Sequence, residues 1–399
     1  MLSKQMLYNL ENSSAIRKMF IEGQELAQKV GAANVFDFSL GNPVAPVPKA
    51  FNDALIEIIQ NENSLTLHGY TNNAGYPEVR KAVADHLNRE FGLGLTEENV
   101  VMTVGAAGAI NIVFKAILDI DDNVVVFRPY FGEYRSYASN FHAQIVEVDP
   151  QLPSFQPDLE DFARKVDART KAVIINNPVN PSGVVYSEET LRCIAKILEE
   201  KQKLYGHEIY LISDEPYREI AYDGVEIPYV TKFYANTFVA YSFSKTLSIP
   251  GERIGYLIVS PEMKQWREMA NAVTVANRVC GFVNAPSLLQ KAAARCLEEK
   301  CDIAFYDNNR KLLWSGLTEL GFECVKPEGT FYLFVKSPEP DEQNFVARAK
   351  AHNLILVAGS TFAMPGYVRI AYCVSPDMIK RSMPHFADLA AEYGLKNGI

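Results

Sequence analysis

The run Ile209-Tyr210-Leu211-Ile212-Ser213 ends in Asp214-Glu215-Pro216-Tyr217, and Phe238-Val239-Ala240-Tyr241 ends in Ser242-Phe243-Ser244-Lys245-Thr246. Each is a short, almost wholly apolar segment that stops at polar groups. A strand covered on both faces has this composition, whereas a strand with one wet face alternates. The same form recurs at Val100–Thr103, Asn123–Phe127, Ala172–Asn176 and Tyr256–Val259, with an alternating run at Gln144–Val148. Helical patterns lie between them, at Ala106–Leu118 and at Glu188–Tyr205, where Leu191, Ile194, Ala195 and Leu198 share one face. Strands and helices in alternation predict an α/β sheet with parallel strands. Ligands collect at the C-terminal strand ends of such sheets, which is where Asp214 falls.

Outward from this sheet the pattern changes. A long helical region, Ala285–Leu320, leads to strands at Phe331–Val335, Ile355–Ala358 and Tyr367–Ala371. These read as a second, smaller domain, and 399 residues favour two domains over one. The helix Ile16–Val30 has no obvious seat on the large sheet and is assigned to the smaller domain. A net charge of −9 argues against a nucleic-acid or anionic-membrane partner. The N-terminus carries no apolar signal core, and apolar runs fall far short of the roughly 20 residues that span a bilayer. Cys193, Cys280, Cys296, Cys301, Cys324 and Cys373 are scattered without a C-x-x-C pair, as in a reduced, cytoplasmic compartment. No H-E-x-x-H occurs among the six histidines, so no metal site is expected.

Five segments carry candidate chemistry, each with a plainer alternative. Lys245 follows a strand and is flanked by Ser244 and Thr246. It is either a loop lysine or a partly desolvated amine that attacks an aldehyde, with Ser242, Ser244 and Arg253, eight residues on, holding a phosphate. Asp214 either caps the turn before Pro216 or keeps a pyridine nitrogen protonated, with Tyr217 reaching the ring hydroxyl. Asn176-Asn177-Pro178-Val179-Asn180-Pro181-Ser182-Gly183 is a turn after a strand, in which Asn180 is the candidate donor to a phenolate. Thr103-Val104-Gly105-Ala106-Ala107-Gly108 opens a helix with small residues, for close packing or for a phosphate at the helix N-terminus. Arg369, in Tyr367-Val368-Arg369-Ile370-Ala371, is either half of a structural salt bridge or a fork for a substrate carboxylate.

Taken in order, N-P-x-G, D-E-P-Y, S-x-S-K with its downstream arginine, and the late V-R-I resemble the class I/II aminotransferases of fold type I over nearly the whole chain. The resemblance implies a large domain at 48–285, with a mostly parallel seven-stranded sheet sandwiched by helices. It implies a smaller α+β domain from 1–47 and 286–399. It implies pyridoxal 5′-phosphate held as a Schiff base by Lys245, with Asp214 as pyridinium partner and Asn180 and Tyr217 on the ring hydroxyl. Gly105, Ala106, Ala107, Ser242, Ser244 and Arg253 would form the phosphate cup, and Phe131 would stack on the ring. Gly41, Asn180 and Arg369 would bind the substrate. Tyr70 would reach a neighbouring subunit's phosphate, which implies a homodimer with shared sites. The implied reaction moves an amino group from an L-amino acid to a 2-oxo acid through pyridoxamine phosphate. A carbon–sulfur β-lyase on the same fold is the alternative. A nicotinamide dehydrogenase is disfavoured by the missing dinucleotide fingerprint. Departures from the family pattern are Ser182 for the usual threonine, Asn176 and Val179 within the asparagine motif, and Glu252 before Arg253. Arg17, Arg135 and Arg278 are the candidates for a distal carboxylate.

Overall fold

The computed structural model describes residues 2, 3, 6, 7, 10 and 15–395; of the helix Ala15–Val30, side chains are described from Met19 onward. Fourteen strands are described. They are β1 (Phe36–Asp37), β2 (Val100–Thr103), β3 (Asn123–Phe127), β4 (Gln144–Val148), β5 (Pro150–Gln151), β6 (Gln156–Pro157), β7 (Thr170–Asn176), β8 (Tyr210–Asp214), β9 (Thr237–Ser242), β10 (Gly255–Val259), β11 (Tyr332–Lys336), β12 (Leu354–Ile355), β13 (Val357–Ala358) and β14 (Tyr367–Ala371). Seven of them form the main sheet in the order β2-β10-β9-β8-β7-β3-β4. All its neighbours pair parallel except β10, which runs against both β9 and β2.

Side chains alternate across each strand, and both faces are dry. Val124 and Val126 pack with the helix Gly105–Ile117, whereas Val125 and Phe127 pack with the helix Glu188–Tyr205. Phe238 and Ala240 likewise face the first layer, and Val239 and Tyr241 face away from it. Two buried faces explain the continuous apolar runs, since each buried Val, Ile or Leu contributes about 1.5–3 kcal/mol. The helix Glu188–Tyr205 begins at Ser187, whose hydroxyl accepts from the Thr190 N–H at 3.1 Å, and stops at Gly206 in the left-handed region.

Towards the C-terminus, β11, β14 and β13 form an antiparallel sheet, and β12 pairs parallel with β1. The helix Ala15–Val30 packs on β12 and β13, and Glu22 pairs with Lys350 at 2.7 Å. Two expectations need correction. The helical region Ala285–Leu320 is two helices, Ser287–Ala294 and Ile303–Glu319, the second started by Asp302, whose carboxylate accepts from the Phe305 N–H. Ala292 and Ala293 of the first belong to the same buried cluster as Val100, Met102 and Tyr241 of the seven-stranded sheet, and this helix packs on the helices Lys49–Asn61 and Pro77–Phe91. The run Ile355–Ala358 is not one strand: it parts at Leu356 into β12 and β13, which join different sheets.

Candidate active site

The C-terminal ends of β8 and β9 open on a cavity of about 280 Å³. Twelve of the residues singled out in the sequence line it: Gly41, Ala106, Ala107, Phe131, Asn180, Asp214, Tyr217, Ser242, Ser244, Lys245, Arg253 and Arg369. They come from separate loops and strands, and it is the parallel register of β7, β8 and β9 that brings their ends level. Asn176 is opposite Asp214, and Asp214 is opposite Ala240.

One end of the cavity gathers hydrogen-bond donors. Ser242 caps a short helix, Phe243–Thr246, and its hydroxyl lies 2.8 Å from that of Ser244. Arg253 is held in the left-handed region at φ 53°, donating to the carbonyls of Pro250 and Val104 at 3.1 and 3.3 Å, with Ser244 Oγ at 3.5 Å. The helix Gly105–Ile117 starts beside it with no side-chain cap, so its first N–H groups are free to bind an anion. Gly105 is required here. Its φ is +78°, and a Cβ would lie 2.9 Å from Arg253 Nη2. Gly105 thus packs directly against the Arg253 guanidinium at this end.

Asp214 forms the floor. Its Oδ2 accepts from Tyr134 Oη at 2.5 Å, and its carbonyl accepts from Asn176 Nδ2 at 2.7 Å. Its Oδ1 is buried without a protein partner. Burial raises its pKa to about 7, opposed by the Tyr134 hydrogen bond and reinforced by Glu215. Tyr217 Oη lies 2.9 Å from Tyr332 Oη.

Lys245 Nζ donates to the Gly41 carbonyl at 2.5 Å. Desolvation lowers its pKa to about 8, with Arg369 and Arg253 adding repulsion and Cys373 opposing them. A fraction of the amine is therefore neutral, and nucleophilic, near neutral pH. Arg369 is buried between the rings of Tyr332 and Phe362, 4.3 and 4.7 Å from its guanidinium carbon. Its Nη1 donates to Asn180 Oδ1 at 3.1 Å and its Nη2 to the Ser39 carbonyl at 2.7 Å, while Nε has no partner. It makes no salt bridge to an acid, so the structural ion pair is not its arrangement among the described residues. Gly41 touches this group closely: a Cβ there would fall 1.9 Å from Tyr332 Oη.

The remaining candidates lie elsewhere. Tyr70 is 92% exposed and outside the cavity. Arg135 is tied to Glu147 at 2.8 Å, and Arg278 is exposed on the helix Trp266–Val279. The Arg17 side chain lies outside the described residues. Tyr134, Tyr137, Tyr332 and Asn176 belong to the site although no role was read for them in the sequence. Neither Tyr134, in the first turn of the helix Glu133–Ser139, nor Tyr332 had a local signal. No cluster of metal-ligating side chains occurs among the described residues.

Residues 32–386 match the family model for aminotransferase class I and II. An aspartate/prephenate aminotransferase of Thermus thermophilus is 33% identical over 324 residues, covering 80% of this chain and 82% of that one. An aromatic-amino-acid aminotransferase of Thermococcus litoralis is 28% identical, covering 96% of each. Among solved structures, an aminotransferase from Eubacterium rectale superposes with a TM-score of 0.95 at 45% identity, covering 98% of this chain and 99% of that one. The aspartate aminotransferase of Thermus thermophilus with maleate gives a TM-score of 0.86 at 28% identity, over 98% and 99%. The chain thus belongs to the class I and II aminotransferases, enzymes that work with pyridoxal phosphate.

Proposed function

We propose that this aminotransferase moves the amino group of an L-amino acid to a 2-oxo acid, with Lys245 holding the cofactor covalently through Nζ. The observation that carries the reading is the single cavity in which Lys245, Asp214, Arg253 and Arg369 meet. The residues fit pyridoxal phosphate on three counts. Asp214 Oδ1 is a buried acceptor lacking a partner, as a protonated ring nitrogen requires. Arg253, the two serine hydroxyls and the uncapped helix start suit a phosphate. Phe131 and Tyr217 border the space between these two ends.

When bound, pyridoxal phosphate supplies an aldehyde that condenses with amines and a ring that stores the electron pair left on the α-carbon. The chain's own groups do the rest. Arg369 binds the substrate carboxylate, with its unpartnered Nε–H among the free donors. Asn180 and the Ser39 carbonyl fix the plane of that fork. Freed from the cofactor, Lys245 Nζ takes the proton from the substrate's α-carbon, a task suited to an amine titrating near working pH. Asp214 keeps the ring nitrogen charged.

Tyr70, projecting from its own subunit, reaches in this reading into the cavity of a second copy, which makes the enzyme a homodimer with shared sites. Two structural units are proposed, a larger at 48–285 and a smaller from 1–47 and 286–399, with the helix Ser287–Ala294 sharing a buried cluster with the larger. Six unpaired cysteines support a reducing, cytoplasmic setting. The relatives' names support aspartate, prephenate or aromatic partners, and lend nothing to a β-lyase. Borohydride reduction of the holoenzyme followed by peptide mapping tests the assignment. The label is expected on Lys245, and a label on any other residue overturns it. A panel measuring cofactor conversion by aspartate, glutamate and aromatic amino acids identifies the donor.

A further inference from the structure

The geometry points to Tyr134 as a positioning residue that fixes which oxygen of Asp214 serves the cofactor ring and favours the charged form of that carboxylate. This rests on the functional reading above. Tyr134 is buried, in the helix Glu133–Ser139, three residues after Phe131, and its ring meets the Phe131 ring edge-on at 5.7 Å. Its hydroxyl donates to Asp214 Oδ2 at 2.5 Å. With the Asp214 carbonyl held by Asn176, the carboxylate has one anchored oxygen and one left over, the buried and unpartnered Oδ1. Turning a carboxylate bonded at one oxygen breaks that bond, so the other oxygen keeps its aim at whatever occupies the cavity.

The hydrogen bond acts on charge as well as aim. It stabilises the anion, opposing the desolvation that favours neutral Asp214. The other titratable groups facing Asp214 are Tyr137, Tyr217 and Glu215. Each is neutral or like-charged, so Tyr134 is the donor that offsets burial. Burial also holds the Tyr134 hydroxyl well above its ordinary pKa, and it stays a donor through the working range. Without that donor, Asp214 becomes the stronger base and draws the proton off the ring nitrogen. The ring then stores electrons less well, and the lysine linkage, facing less positive charge, titrates at higher pH.

The test uses purified holoenzyme carrying Tyr134→Phe or, as control, Tyr130→Phe. Tyr130 stacks on Tyr134 at 6.1 Å but gives its hydroxyl to Glu147 at 2.8 Å, away from Asp214. Three readouts are taken: the pH titration of the cofactor absorbance, the rate of cofactor release, and the rate of α-proton removal with its deuterium isotope effect. For Tyr134→Phe the titration midpoint moves up, cofactor release quickens, and proton removal slows about 10- to 150-fold, the range for a lost hydrogen bond to a charged group. KM for the amino acid stays near wild type, and Tyr130→Phe moves none of these. An unchanged midpoint and release rate in Tyr134→Phe overturns the inference, as does an equal change in Tyr130→Phe, which would mark a packing effect. A wild-type protein without a pH-dependent cofactor band takes down the functional reading itself, which separates the two failures.

Discussion

Replacing Arg369 by lysine keeps a positive charge in the cavity and removes the fork. In the structure the guanidinium spends Nη1 on Asn180 and Nη2 on the Ser39 carbonyl, and Nε is buried without a partner. A carboxylate bound there makes charge-assisted hydrogen bonds that an ammonium, a point donor on a flexible stem, cannot reproduce as a planar pair. The lysine also leaves Asn180 Oδ1 and the Ser39 carbonyl without their donors, and leaves the rings of Tyr332 and Phe362 without the flat group they enclose. Losing one charge-assisted bond costs about 1.5–3 kcal/mol, so kcat/KM for the amino acid falls about 10- to 150-fold, mostly through KM. Alanine, which abandons the charge, costs about 2–5 kcal/mol on the same scale. The assay is rapid mixing of holoenzyme with the amino acid, following the cofactor absorbance. A parallel series uses the primary amine lacking the carboxylate, a poor substrate for both enzymes. The clamp predicts that Arg369→Lys impairs the amino acid and leaves the amine unchanged. A variant within about threefold of wild type on the amino acid, or one that loses equally on both compounds, refutes the reasoning.

Three further outcomes follow from the same geometry. Gly41→Ala drives a Cβ to within 1.9 Å of Tyr332 Oη; it should raise KM and lower Tm, with partial recovery in the double variant with Tyr332→Phe, and simple additivity in the double variant argues against the clash. In cofactor-free enzyme, reductive alkylation of Lys245 by a small aldehyde should accelerate with pH and level off near pH 8, because only the neutral amine attacks; levelling near 10.5 means the amine is not desolvated. Asp214 has a folded pKa raised from 3.8 to about 7, so the folded chain binds the extra proton in that window and its stability falls as pH rises through it. Asp214→Asn should therefore stabilise the cofactor-free protein at pH 8, by an upper bound of about 4 kcal/mol read as a higher Tm, while weakening cofactor binding; an unchanged or lower Tm rejects the burial argument.

Most of the main sheet was legible because its strands are dry on both sides, and a doubly buried strand writes its burial into consecutive residues such as Val124-Val125-Val126. Groups at strand ends were legible for a related reason. Asp214 and Lys245 stand where an apolar run stops, and a polar residue there has few structural uses. What escaped was set by distant chain. Tyr332 meets Tyr217 across 115 positions, and Tyr134 meets Asp214 across 80, with no local pattern announcing either. The break after Ala294 escaped because helical periodicity resumes at Ile303, and only Asp302, one capping carboxylate, marks the restart. The split at Leu356 escaped because apolar composition specifies burial but not which sheet a residue joins.

The unpartnered oxygen of Asp214 also bears on how long the protein survives. A chain that buries an unpartnered carboxylate oxygen at Asp214 and a desolvated amine at Lys245 gains stability from any ligand that satisfies them. Ligand that binds only the folded chain adds stability in proportion to the logarithm of its concentration. The cofactor-free form is therefore expected to open more often than the loaded one and to be cut sooner by an added protease.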